Sequence, residues 1–288
     1  MKNIPGLFDL TGRVAIVTGG AGLLGAEFCQ TLIEAGAITI IADIDGIAAD
    51  KLADSLNERF RTQKSELRAV SSQVDISSKS SVQELFQFAF DQFKQLDILV
   101  NAAALDPKVD PRSLSKPGEA DADRPLASKF EDYPLGQWQR ALDVNLTGVF
   151  LCCQAAGKLM AAQGAGVIIN ISSIYGMVGP DQRIYQTKDN PEIYKPAYYS
   201  TTKAGILGLT RYLAAYYAGT DIRVNALTPG GVFKDHDQGF IQAYSSRAVL
   251  GRMAEKSEMN GALLFLASDA SRYMTGGNLV VDGGWTAW

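Results

Sequence analysis

Histidine and cysteine are nearly missing from this chain of 288 residues, which holds one of the first and three of the second. The lone histidine, His236, lies in the polar run 234–238 and reads as solvated. One imidazole in such a setting argues against a Ser-His-Asp hydrolase. Cys29, Cys152 and Cys153 sit on apolar segments. An odd count without ligand spacing excludes a disulfide framework and gives no reason to expect a metal, so they read as small buried hydrophobes. An excess of one charge is also missing. Lys and Arg total 27 against 31 Asp and Glu, a net charge of −4, which offers nothing to attract nucleic acid or an anionic membrane. No uninterrupted apolar run reaches membrane-spanning length, and the first thirteen residues carry no apolar signal core. The expectation is a cytoplasmic protein acting on a small molecule.

What is present is ample core material, 47% hydrophobic against 20% charged. Strand-like runs at 13–19, 37–43, 67–75, 96–102, 166–172, 222–228 and 278–282 are short and β-branched. Helical patterns lie between them at 23–35, 46–61, 78–95, 136–163, 198–218 and 256–268. This alternation predicts an α/β fold: one domain over 1–288, a Rossmann-type, doubly wound parallel sheet of about seven strands with helices on both faces. Two stretches interrupt the rhythm, 105–135 and 174–197. Each follows the carboxyl end of a strand, the edge where open α/β sheets bind ligands. The first is open to partial mobility; the second, richer in aromatics, is expected to be ordered.

The segment Gly19-Gly20-Ala21-Gly22-Leu23-Leu24-Gly25 joins the first strand to the first helix. Glycines there allow a tight turn and close approach, and the helix N-terminus offers free N–H groups to a pyrophosphate. Asp43 ends the second strand, eighteen residues after Gly25, near the spacing of the carboxylate that binds ribose hydroxyls. It would repel a 2′-phosphate, so NAD(H) is expected over NADP(H). Asp45 competes for the role but lies beyond the strand. Tyr199 and Lys203 are four residues apart on a predicted helix, hence on one face. An ammonium beside a phenol lowers its pKa from about 10 and suits it to proton transfer. Tyr198, five residues from Lys203, is the weaker candidate.

Together these motifs resemble the short-chain dehydrogenase/reductase family along nearly the whole chain. The resemblance implies that the turn from Gly19 through Leu24 to Gly25 holds the cofactor. It implies that Asp75 and Ile76 meet the adenine, that Asn101 belongs to the fourth-strand motif, and that Pro229 and Val232 face the nicotinamide. Asn145, Ser173, Tyr199 and Lys203 would form the catalytic set: Tyr199 as acid/base, Lys203 on its pKa and the nicotinamide ribose, Ser173 on the substrate oxygen, Asn145 on a water. A homodimer or homotetramer is implied likewise. The chain departs from the pattern at Leu23 (usually glycine), in its fourth-strand alanines, at Lys234 (often threonine), and in the twenty-six residues between Ser173 and Tyr199.

The loop near the substrate carries Asp181, Gln182, Arg183, Tyr185, Lys188 and Lys195, groups that suit hydroxyls or a phosphate. The expected activity is interconversion of a secondary alcohol and a ketone on a polar substrate such as a sugar or sugar derivative. Reduction of a 3-oxoacyl thioester and a non-catalytic NAD-binding sensor or scaffold stand as alternatives. Trp285 and Trp288 read as packing or subunit-contact residues.

Overall fold

In the computed structural model, residues 3–60, 68–106, 129–186 and 193–288 are described. The centre of residues 105–135 and Lys188 lie outside the described residues, and with them the expectation of partial mobility.

Seven strands form one parallel sheet in the order β3-β2-β1-β4-β5-β6-β7. They are β1 Val14–Thr18, β2 Ile38–Asp43, β3 Ala69–Gln73, β4 Ile98–Asn101, β5 Ala165–Ile171, β6 Asp221–Pro229 and β7 Asn278–Val281. Along β1, Val14 and Ile16 enter one core cluster while Ala15 and Val17 enter another. That two-residue alternation with no polar side is what a strand covered on both faces requires. Order reverses between β1 and β4, so connections leave in opposite directions and open a crevice at their carboxyl ends.

Helices cover both faces: α1 Leu23–Glu34, α2 Gly46–Arg59, α3 Lys79–Phe93, α4 Leu135–Leu142, α5 Val149–Gln163, α6 Ala197–Tyr216, α7 Gln238–Ser245 and α8 Asn260–Ala267. A π-helical turn, Asp143–Gly148, joins α4 to α5. The combined helix Leu135–Gln163 is long and apolar enough to cross a membrane by length and composition alone. Its buried residues, Cys152, Cys153 and Met160 among them, pack into the core against the sheet. All three cysteines are free and buried, as their apolar settings imply. Burial pushes each thiol well up, so these are packing residues.

A third, smaller core lies apart from the sheet. Ile174, Tyr175, Ile184 and Tyr185 of the long loop meet Tyr244 of α7 and Trp285 near the C-terminus. Short 3₁₀ turns, Ile174–Gly176 and Gln182–Ile184, shape the described first part of the loop, and residues 187–192 lie outside the described residues.

Candidate active site

A cavity of about 960 Å³ opens at the carboxyl edge of the sheet, lined from Gly19 at one end to Tyr244 at the other. At the first end the backbone is bare by necessity. Gly19 has φ +64°, and a Cβ there would lie 2.6 Å from Ala103 Cα. A Cβ on Gly25 would lie 1.9 Å from the Gly19 carbonyl oxygen. Helix α1 starts at Leu23 with Gly22 before it and no side-chain cap. Its positive end and first-turn N–H groups are therefore available to a ligand. Leu23 is unstrained: among the described residues only Lys94 and Asp235 are non-glycines at positive φ.

Asp43 lines the same end. One carboxylate oxygen accepts from Ala21 N–H at 3.0 Å and the other from Asp45 N–H at 3.1 Å. Asp45 instead caps α2 by accepting from Ala48 N–H at 3.0 Å. Leu24, Asp75, Ile76, Pro229 and Val232 all line the cavity. Asn101 does not. It is buried behind the floor, donating to Asn170 at 2.8 Å, while Ala102, Ala103 and Ala104 form the surface. The residues present fit a nicotinamide dinucleotide: a glycine turn and open helix end for the pyrophosphate, an acceptor carboxylate for ribose.

Midway, three side chains meet. Ser173 follows β5, is buried, and accepts from Tyr175 N–H at 3.2 Å. Its hydroxyl stands close enough to the Tyr199 phenol to draw that phenol's pKa down. Tyr199 lies in the first turn of α6, which Pro196 starts. Lys203, one turn on, is buried and donates from Nζ to the Ile171 carbonyl at 2.8 Å. The helix is held there from below. Ser172 donates to the Lys203 carbonyl at 2.8 Å, and Gly176 leaves room for that carbonyl, which a Cβ would approach to 2.6 Å.

The expected charge balance is not what the protein alone displays. Burial first, then the Asp106 carboxylate, push the Tyr199 phenol well above its ordinary range, while the Ser173 hydroxyl draws it down. Lys203, which the four-residue spacing suggested would lower it, is not among the main influences on it. Its ammonium is spent on Ile171, lies 5.8 Å from the Tyr199 ring centroid, and is itself pulled down to about 8 by burial. Asn145 differs too. In the π-helical turn its amide clamps Leu105, accepting from N–H at 2.6 Å and donating to the carbonyl at 3.0 Å. Its side chain thus fixes the cavity wall at 102–106.

The substrate end is more aromatic than the sequence suggested. Tyr185 donates to Tyr175 at 2.8 Å, and Tyr175 sets its ring edge-on to Tyr199 at 6.5 Å. Phe240 and Tyr244 come from α7, a helix missed among the polar residues 234–238 although Phe240, Ile241 and Tyr244 recur at helical spacing. His236 is not simply solvated. It lines the cavity, stacks on Phe240 at 5.0 Å, and accepts from Lys234 N–H at 3.1 Å, with burial lowering its pKa. Trp285 packs on Tyr244 at 4.2 Å, while Trp288 is exposed and donates to the Arg247 carbonyl. Of the loop's polar residues, Tyr185 and Lys195 line the cavity. Arg183 turns outward, 81% exposed, against Asp181. Among the described residues no group of three His, Cys, Asp or Glu could hold a metal ion.

Known proteins resemble this chain over nearly its whole length. Residues 20–286 match the family described as Enoyl-(Acyl carrier protein) reductase. A cis-4-hydroxycyclohexanecarboxylate dehydrogenase of Sinomonas cyclohexanicum is 35% identical over 280 residues, covering 96% of this chain and 97% of the relative. A solved short chain dehydrogenase from Leptospira borgpetersenii with bound NAD+ superposes with TM-score 0.79 at 32% identity, covering 99% and 96% of the two chains. A gluconate 5-dehydrogenase from Burkholderia cenocepacia, in complex with NADP and tartrate, does so with TM-score 0.80 at 28% identity, covering 99% and 100%. The chain belongs to the short-chain dehydrogenase/reductase family and is an oxidoreductase acting on the CH–OH groups of secondary alcohols.

Proposed function

We propose that the protein interconverts a secondary alcohol and a ketone on a polar, hydroxylated substrate, with NAD(H) as its cofactor. The observation that carries this is the grouping of Ser173, Tyr199 and Lys203 in one cavity whose far end presents Asp43. When bound, the nicotinamide supplies the hydride acceptor or donor. Tyr199 takes the hydroxyl proton in oxidation and returns it to the carbonyl oxygen in reduction. Ser173 donates a hydrogen bond to that oxygen and steadies the charge that develops on it. Lys203 holds the nicotinamide ribose, and Asn145 acts as a positioning residue through Leu105. Leu23 and the unusual loops are what favour a non-catalytic nucleotide-binding protein, and Leu23 starts α1 without backbone strain.

The preference for NAD(H) rests on Asp43. The gluconate dehydrogenase holds NADP and the Leptospira enzyme NAD+, so cofactor choice turns on this chain's own residues. A carboxylate here accepts from both ribose hydroxyls and repels a 2′-phosphate. Asp43→Ala is expected to cut kcat/KM for NAD+ about 10- to 100-fold, the worth of charge-assisted hydrogen bonds, and to narrow or reverse the preference over NADP+. Steady-state kinetics with both cofactors, over a panel of sugars, polyols and hydroxy acids, test this. Equal use of NADP+ by the unaltered enzyme would refute the assignment. Exposed Tyr212 and Tyr216, stacked on the outside of α6, support a homodimer or homotetramer.

A further inference from the structure

Lys195 is more deeply placed than packing at the substrate end requires. Its backbone is fixed at both ends by one side chain: Lys195 N–H donates to Gln182 Oε1 at 2.8 Å, and its carbonyl accepts from Gln182 Nε2 at 3.1 Å. Pro196 and the start of α6 follow at once. The side chain is 8% exposed, and Nζ stands 4.0 Å from the Tyr199 ring centroid. Its surroundings, Tyr175, Tyr185 and Phe240, are aromatic. An ammonium buried there is costly unless an anion meets it.

The anion present is Asp106, hydrogen-bonded to Lys195 Nζ. The pair is lopsided, however. Asp106 is 56% exposed against 8% for Lys195. The cation is fixed and dry, while its counterion sits in water at the cavity rim. A carboxylate already that wet loses little when it returns to solvent, whereas the ammonium must keep a partner. Such an arrangement suits a receptor whose resident anion is exchanged for another. Arg183 and Arg247 both pair with Asp181, and neither lines the cavity.

We propose that Lys195 anchors a carboxylate on the substrate, which replaces Asp106. The substrate is then a hydroxy acid, its carbinol at Ser173 and Tyr199 and its carboxylate on the Lys195 ammonium. This rests on the proposed secondary-alcohol chemistry at Tyr199. Lys195 acts as a specificity-determining residue and leaves the proton transfer to Tyr199.

The test compares hydroxy acids with their primary amides, neutral groups of nearly the same shape. The pairs are 3-hydroxybutyrate and 3-hydroxycyclohexanecarboxylate with their amides. Benzoate and benzamide, titrated calorimetrically into the NAD+-loaded enzyme, give a readout that needs no turnover. The unaltered enzyme should favour acid over amide by about 30- to 1,000-fold in kcat/KM, the range for a desolvated charge pair. Lys195→Met should erase that preference through KM and weaken benzoate equally, with amides changed by less than about threefold and Lys195→Arg recovering part of the acid preference. Asp106→Asn, which removes the competing anion, should tighten benzoate. The proposal fails if the unaltered enzyme binds benzoate no better than benzamide, if Lys195→Met weakens acid and amide alike, or if Asp106→Asn weakens benzoate. Turnover of neutral polyols but of no hydroxy acid would also defeat it while leaving the secondary-alcohol reading intact. Absence of any turnover, with charge-selective benzoate binding retained, would defeat that reading and keep the anchor.

Discussion

Tyr199→Phe is expected to lower turnover by at least about 10²- to 10⁴-fold, the usual worth of a positioned general acid or base. NADH affinity should stay within severalfold, because the phenol is midway along the cavity and far from the glycine turn at Gly19. The ring is retained, so its contacts with Tyr175 and the Lys195 ammonium persist, and only the phenol oxygen is lost. Fluorescence titration of NADH together with single-turnover rates separates binding from chemistry. The direction of pH dependence follows from the same group. Burial holds the phenol well above its ordinary range, so its base form is scarce near neutrality and its acid form abundant. Alcohol oxidation should therefore quicken as pH rises above 7, whereas carbonyl reduction holds level and then falls. Positive charge brought by the oxidised cofactor shifts the oxidation profile to lower pH without changing its sense. Ordinary turnover in the phenylalanine variant, or oxidation that slows with rising pH, would remove Tyr199 from the mechanism.

The sheet was legible because its central strands β1, β2, β4, β5 and β6 are almost wholly buried and read as short β-branched runs, while the edge strands β3 and β7 are partly exposed. All seven strand-like runs overlap observed strands. Part of the candidate site was legible for a different reason. Tyr199 and Lys203 lie on α6, whose geometry carries sequence spacing directly into space, and Ser173 stands just past the end of β5. Loops carry no such rule. That Lys195 is buried and Arg183 is not could not be read from two cations twelve residues apart in one polar stretch. The same limit hid α7. Its aromatic face packs on the small third core, which comes together only when the long loop, α7 and Trp285 converge. Electrostatics were least legible. The i,i+4 spacing of Tyr199 and Lys203 is real, but the Ile171 carbonyl that captures the ammonium belongs to a strand thirty-two residues earlier.

Lys203→Met should raise stability while abolishing most activity. The Lys203 ammonium is buried, and burial pulls its pKa from an ordinary 10.5 to about 8. A lysine with a depressed native pKa opposes folding. Below pH 8 both folded and unfolded chains carry the proton, and the full penalty applies, on the order of 3 kcal/mol. Between about 8 and 10.5 the folded protein releases its proton while the unfolded chain keeps it, so this penalty fades as pH rises. Methionine matches the length of the stem and brings no charge. It also leaves the Ile171 carbonyl without this donor, which takes back about 1–3 kcal/mol. The net expectation at pH 6–7 is a stabilisation of about 1 kcal/mol, or roughly 2–4 °C in Tm, shrinking and then reversing towards pH 10 as only the lost hydrogen bond remains. Thermal unfolding of the cofactor-free protein across that pH range measures it. Turnover should fall about 10²- to 10⁴-fold because the variant loses both its hold on the nicotinamide ribose and the cation next to the proton-transfer pair. A variant less stable than the parent at pH 6, or a stability difference independent of pH, would mean that Lys203 is a structural cation well paid for by its carbonyl. The expected result instead makes it a charge kept at the cost of stability for the chemistry at Tyr199.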